Sequence, residues 1–119
     1  MPRTRRRCLV ALAVASVLVF AAPAQGAFLI KATRLIDGTN VFRPKLAQIA
    51  EGTRVTWTAK KGMHTVTAYK GFTKNVTLSQ GESTSFRFRN TGVFKFRCRF
   101  HSVLSSGTCS GMCGKIVVG

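Results

Sequence analysis

Glycines at positions 38, 52, 62, 71, 81 and 92 interrupt the chain about every ten residues, and the short runs between them alternate apolar with polar side chains. A period of two puts the apolar residues on one face of a strand, whereas a helix needs a period of about 3.6 held over a longer stretch. No segment holds that longer period. Strands are read at 28–36, 41–43, 46–50, 53–59, 64–69, 75–79, 83–89, 93–99 and 114–118. Short strands at this spacing are the pattern of an all-β sandwich or barrel. Val55 and Trp57 alternate with Arg54, Thr56 and Thr58, and Phe86 and Phe88 with Arg87 and Arg89, giving an apolar inner face and a polar outer one. There is no internal repeat, low-complexity tract or linker that would divide the domain.

The first 26 residues stand outside this pattern. "MPRTRRRCLVALAVASVLVFAAPAQG" sets Arg3, Arg5, Arg6 and Arg7 ahead of an apolar run from Cys8 to Ala22, followed by small residues at Ala24 and Gly26. That is the layout of a secretory signal peptide. The apolar run has 15 residues, short of the roughly 20 that cross hydrocarbon. Residues 1–26 are therefore expected to be a signal peptide and residues 27–119 one exported domain, periplasmic, extracellular or on the cell envelope, with no membrane span after cleavage. "TRRRCL" leaves the twin-arginine export route open as well.

Charge narrows the partners. Of 19 Lys and Arg, four leave with the signal, so 15 face only Asp37, Glu51 and Glu82, a formal +12. Such a domain suits an acidic protein or an anionic cell surface; nucleic acid is set aside because an exported protein rarely meets it. The same charge opposes close self-association at low salt, so a monomer is expected.

In "FKFRCRFH" (94–101) the strand period places Phe94, Phe96, Cys98 and Phe100 on one face and Lys95, Arg97 and Arg99 on the other, so Cys98 points inward. His101 follows three residues later and opens "HSVLSSGTCSGMCGK", read as a loop with Met112 near its far end; the only other histidine, His64, lies in "KKGMHTVTAY". One thiolate, two imidazoles and a thioether are the ligand types of a blue-copper electron-transfer site. Thr65, next to His64, is a candidate to reach the thiolate. Taken singly, each residue has an ordinary explanation: a buried small hydrophobe, a strand-edge histidine, a gap-filling methionine. Their joint presence is what points to metal.

In "VFRPKLAQIAEGTRVTWT" (41–58), "HTVTA" (64–68), "GESTSFRF" (81–88), "GVFKFRCRFH" (92–101) and "GMCGKIVV" (111–118) the chain resembles the cupredoxins, the plastocyanin-like type 1 blue copper proteins. The resemblance implies a Greek-key β-sandwich of about eight strands, with 83–89 and 93–99 in different sheets. It also implies one copper ion cycling between Cu(II) and Cu(I), with Cys98 as thiolate ligand, His64 and His101 as equatorial imidazoles and Met112 as the weak axial ligand. The function it implies is a one-electron carrier between redox partners. The chain departs from the family in one respect, since ten residues separate His101 from Met112 and two cysteines flank the methionine. Cys109 and Cys113 are accordingly expected to pair across "CSGMC", which leaves Cys98 for the metal and accounts for the odd thiol count after Cys8 is removed.

Five other readings compete. Cys98, His101, Cys109 and Cys113 have the ligand types of a structural Cys3His zinc site, although that leaves His64 and Met112 without a role. A thiol-nucleophile enzyme needs an accessible thiolate, which the strand period denies Cys98. A multicopper redox enzyme needs further histidine-rich centres, and both histidines are already used, so no enzyme is expected. A copper storage or delivery protein would use the same four ligands, and a metal-free scaffold would use none.

Overall fold

The computed structural model describes residues 26–119, together with Ala13 and Val14. The expected signal peptide, residues 1–26, and Cys8 thus lie essentially outside the described residues. Nine strands follow in order: β1 (Ala27–Arg34), β2 (Asn40–Arg43), β3 (Leu46–Ile49), β4 (Thr53–Ala59), β5 (His64–Lys70), β6 (Asn75–Leu78), β7 (Ser83–Phe88), β8 (Gly92–Ser105) and β9 (Thr108–Val118). They form two sheets, β2-β1-β4-β7 and β3-β9-β8-β5-β6. β7 and β8 fall in different sheets, as expected.

The count is nine, as read from the period, against the about eight that the resemblance implied, and β2 and β3 are separate strands in different sheets. β2 pairs antiparallel with β1, whereas β3 runs parallel to β9. Pro44 lies between them, and a residue with no N–H to donate fits where the chain leaves one ladder for the other.

The inner faces carry the alternation through. Val55, Trp57, Ala59, Phe88, Phe96 and Ile116 are completely buried. Phe96 meets Phe42 edge-on at 4.8 Å and Trp57 at 5.3 Å between ring centroids, the geometry that brings a positive ring edge against a negative face. These rings belong to the same buried core cluster as Cys98.

The largest difference from the sequence reading lies between residues 99 and 114. Expected as a loop, the segment is a continuation of β8 and β9 into a hairpin. Ser105 pairs with Thr108, and the two residues between them, Ser106 and Gly107, have φ of 48° and 77°. Two successive positive φ values define the turn whose twist matches that of paired strands, and the Ser-Gly pair meets its demand at the second position. The polar serines and threonine around the tip hid a strand signal that only the short turn completes.

Candidate metal centre

Cys98 lies where the β8–β9 ladder changes register. Arg97 pairs with Cys113, and the next pair is Ser102 with Gly111, so residues 98–101 stand opposite Met112 alone. The extra residues form an enlarged bulge, which re-aims side chains that a regular strand would send to alternate faces. Cys98 stays inward and fully buried, and Met112 is 1% exposed. Phe100 corrects the sequence reading. It was expected on the inner face with Phe94, Phe96 and Cys98, but the bulge breaks the period and leaves it half exposed.

The same bulge turns His101 back toward the thiol. Its Nδ1 is 3.3 Å from Cys98 Sγ. His64 arrives from the other side as the first residue of β5 and is fully buried. Its Nε2–H donates to the Lys61 carbonyl at 2.6 Å, and Gly62 N–H, bonded to Gln80 Oε1 at 3.1 Å, holds that turn in place. With the proton on Nε2, Nδ1 keeps its lone pair. That Nδ1 is buried and has no hydrogen-bond partner. An unpaired buried polar atom is costly and requires a reason.

Among the described residues His64, Cys98 and His101 are brought together, with one ligand atom from each within 4.8 Å of the others. The two imidazoles lie 5.2 Å apart between centroids. Burial first, then His64 and Arg34, lower the His101 pKa below its ordinary value. Its imidazole is therefore neutral near pH 7, the form that can offer a lone pair to a metal.

Thr65 connects the two ligand strands. Its N–H donates to Cys98 Sγ at 3.2 Å, and its Oγ1 accepts the Arg99 N–H at 2.7 Å. The backbone therefore reaches the sulfur while the side chain fixes the residue after it. The sequence marked Thr65 only by its position; nothing in it distinguished the backbone from the hydroxyl. The Lys61 carbonyl leaves no sequence signal at all, because any residue could supply it.

Cys109 and Cys113 form a disulfide with their Cα atoms 6.1 Å apart. Four residue steps along a regular strand cover about 13 Å, so the bridge closes only because the chain is folded at Gly111 and Met112. Gly111 has φ of 99°, and a Cβ there would come within 2.5 Å of the His101 carbonyl oxygen. Glycine is the residue that permits both the backbone conformation and the approach. The bridge also takes two ligands away from the Cys3His zinc reading, leaving Cys98 as the free thiol among the described residues. Replacing Cys109 and Cys113 together by serine is expected to lower the stability of the metal-free protein by about 2 kcal/mol, the chain-entropy value for so small a ring. Urea denaturation with and without the substitutions measures this, and an unchanged midpoint would contradict it.

No family model matches the sequence, and no curated protein matches it. Solved structures do match. A purple cupredoxin from Nitrosopumilus maritimus is 21% identical, with a TM-score of 0.59 over 77% of this chain and 99% of the other. Pseudoazurin from Methylobacterium extorquens AM1 is 24% identical, with a TM-score of 0.61 over 78% and 75%. The reduced state of an amicyanin variant is 21% identical, with a TM-score of 0.61 over 81% and 85%. The fold is that of the cupredoxins.

Proposed function

We propose that this chain is an exported type 1 copper protein that carries single electrons between redox partners. The observation that carries this reading is the buried, unpartnered Nδ1 of His64 in a cluster with a buried thiol and a second imidazole. Soft sulfur with two imidazoles suits copper, and a thioether in the position of Met112 suits its weak axial bond. Similar folds carry the metal by name: one is a reduced Cu(I) form of amicyanin, 20% identical with a TM-score of 0.57.

Bound copper would supply a one-electron couple between Cu(II) and Cu(I). What the chain supplies is a holder that does not rearrange. Cys98 would release its thiol proton on binding the metal and hold it as a thiolate. The Thr65 N–H remains as a donor to the sulfur, drawing off some of its electron density and so helping to set the potential. Cys98 is fully buried in one core cluster with Phe96 and Trp57, a surrounding that excludes water and keeps the thiolate from oxidation. His101 is partly exposed and offers the short way to the surface.

A carrier fits better than an enzyme. The chain also resembles a Cu-containing nitrite reductase from Thermus scotoductus SA-01, 19% identical with a TM-score of 0.58, but matches only 22% of that protein. Both of this chain's histidines are used in one cluster, so no second centre can be built from its own imidazoles.

Copper storage or delivery would use the same ligands, and retention separates the two. The copper-loaded protein is taken through repeated ascorbate reduction and ferricyanide reoxidation with a Cu(I) chelator present. A carrier keeps its metal and its visible band through every cycle. Transfer of the copper to the chelator in the first reduction would make delivery the better description.

A further inference from the structure

The outer face of the β3-β9-β8-β5-β6 sheet carries a row of like charges. Lys70 is paired directly with Lys95, and Lys95 with Lys115. The register shift between Ala68 and Lys70 sets Tyr69 beside Lys70 against the same Lys95. Like charges directly opposite one another on a sheet are destabilising, and nothing of opposite sign relieves them. The three acidic residues sit elsewhere: Asp37 in the turn after β1, Glu51 in the turn before β4, and Glu82 in the turn before β7. Asp37 is bonded to Thr39 N–H and Glu82 to Ser79 N–H.

The row borders a groove of about 480 Å³ lined by Lys45, Tyr69, Lys95, Cys113, Gly114 and Lys115, among others. Lys45 enters because its carbonyl accepts the Lys115 N–H at 2.8 Å, which ties the approach to β3 onto β9. Burial raises the Tyr69 pKa, against the pull of Arg97, so its hydroxyl stays a donor. The side chains around this groove thus offer three ammonium groups and a phenolic O–H, with no carboxylate.

We propose that this groove is the docking site for an extended acidic segment of a partner protein, held by Lys45, Lys95 and Lys115. Strand spacing sets the scale. Neighbouring strands lie about 4.8 Å apart, so the three lysines, from Lys95 on β8 across Lys115 on β9 to Lys45 before β3, extend roughly 10 Å across the sheet. A single phosphate spans less than that. Carboxylates on alternate residues of an extended chain recur about every 6.8 Å on one face, so two of them lie along the row. Lysine ammonium groups are flexible point charges, suited to several separate carboxylates, whereas a fixed bidentate grip is the property of arginine. The groove reaches Cys113, which is paired with Arg97, the residue before Cys98. A partner seated here therefore lies next to the strand that carries the thiol.

The test needs no copper, so its failure leaves the electron-carrier reading standing, and loss of that reading leaves this site standing. The protein, uniformly ¹⁵N-labelled, is titrated with a hexaglutamate peptide and separately with tripolyphosphate. The expected result is amide shifts concentrated at Lys45, Tyr69, Lys95 and Gly111–Lys115. Lys95→Gln with Lys115→Gln is expected to weaken peptide binding about five- to ten-fold, and added salt to weaken it further. This pair relieves repulsion in the free protein, so folding is not endangered. Lys31→Gln with Lys60→Gln, which removes the same charge from β1 and from the segment after β4, is expected to change the affinity less than two-fold. Shifts spread over the basic surface, or equal losses in both double variants, would overturn the proposal. So would tripolyphosphate occupying the same residues more tightly than the peptide, which would make the groove a phosphate site.

Discussion

Cys98→Ser is expected to yield a folded protein that has lost the intense visible band altogether and binds Cu(II) far more weakly. The band requires charge transfer from a thiolate, which a serine hydroxyl cannot supply at neutral pH. The fold survives because the hydroxyl still accepts the Thr65 N–H that now points at sulfur, and the volume change is small. Absorption and far-UV circular dichroism on the same sample separate the two effects. A Cys98→Ser protein that kept its band would remove Cys98 from the ligand set.

The second large effect is structural and arises two residues beyond Met112. Gly114 pairs with Phe96, whose ring occupies the space that a Cβ at position 114 would need. The ring cannot retreat, because Phe42 and Trp57 hold its other sides. Ordinarily alanine is better than glycine in a strand, by a fraction of 1 kcal/mol to about 1 kcal/mol. Here overpacking reverses the sign, and Gly114→Ala is expected to cost about 3 kcal/mol. A double-mutant cycle identifies the cause, since in a Phe96→Leu background the same substitution should cost less than about 1 kcal/mol. Equal costs in the two backgrounds would show that the ring is not what excludes the side chain.

These two residues mark what the sequence made legible. Cys98 was readable because the alternation through "FKFRCRFH" aims it inward and no competing feature hides it. The all-β class was readable for the same reason, from the period along 53–59 and 83–89 and the glycines between strands, whereas the division into two sheets came only from the resemblance to the cupredoxins. Gly114 was not readable, because its meaning depends on a ring that reaches it across a strand pair. Phe100 was misread because period two assumes an uninterrupted ladder, and the bulge over 98–101 is a property of the pairing with β9, not of either strand alone.

The hairpin beyond the ligands shows the same limit from the other direction. "SVLSSGTCSG" is polar enough to pass for a loop, and its strand character comes from a two-residue turn with two positive φ values. That turn gives the long interval between His101 and Met112 its meaning. The interval does not lengthen the connection between the ligands in space, because it goes out along one strand and returns along the other. Met112 therefore ends up opposite Cys98–His101 despite the ten intervening residues. Gly111 and the disulfide hold it at that point, and the pattern Cys-Ser-Gly-Met-Cys was the one local signal of the fold there.

The central claim is that His64, Cys98 and His101 form one copper site. The most direct measurement is a titration of the purified, metal-free protein with Cu(II), followed in the visible and then by ascorbate. The result expected is an intense blue, green or purple band that grows to a sharp end point at one equivalent and bleaches on reduction. A weak band that rises without an end point, or no band at all, would contradict the account and leave the three side chains as a buried cluster without a copper function.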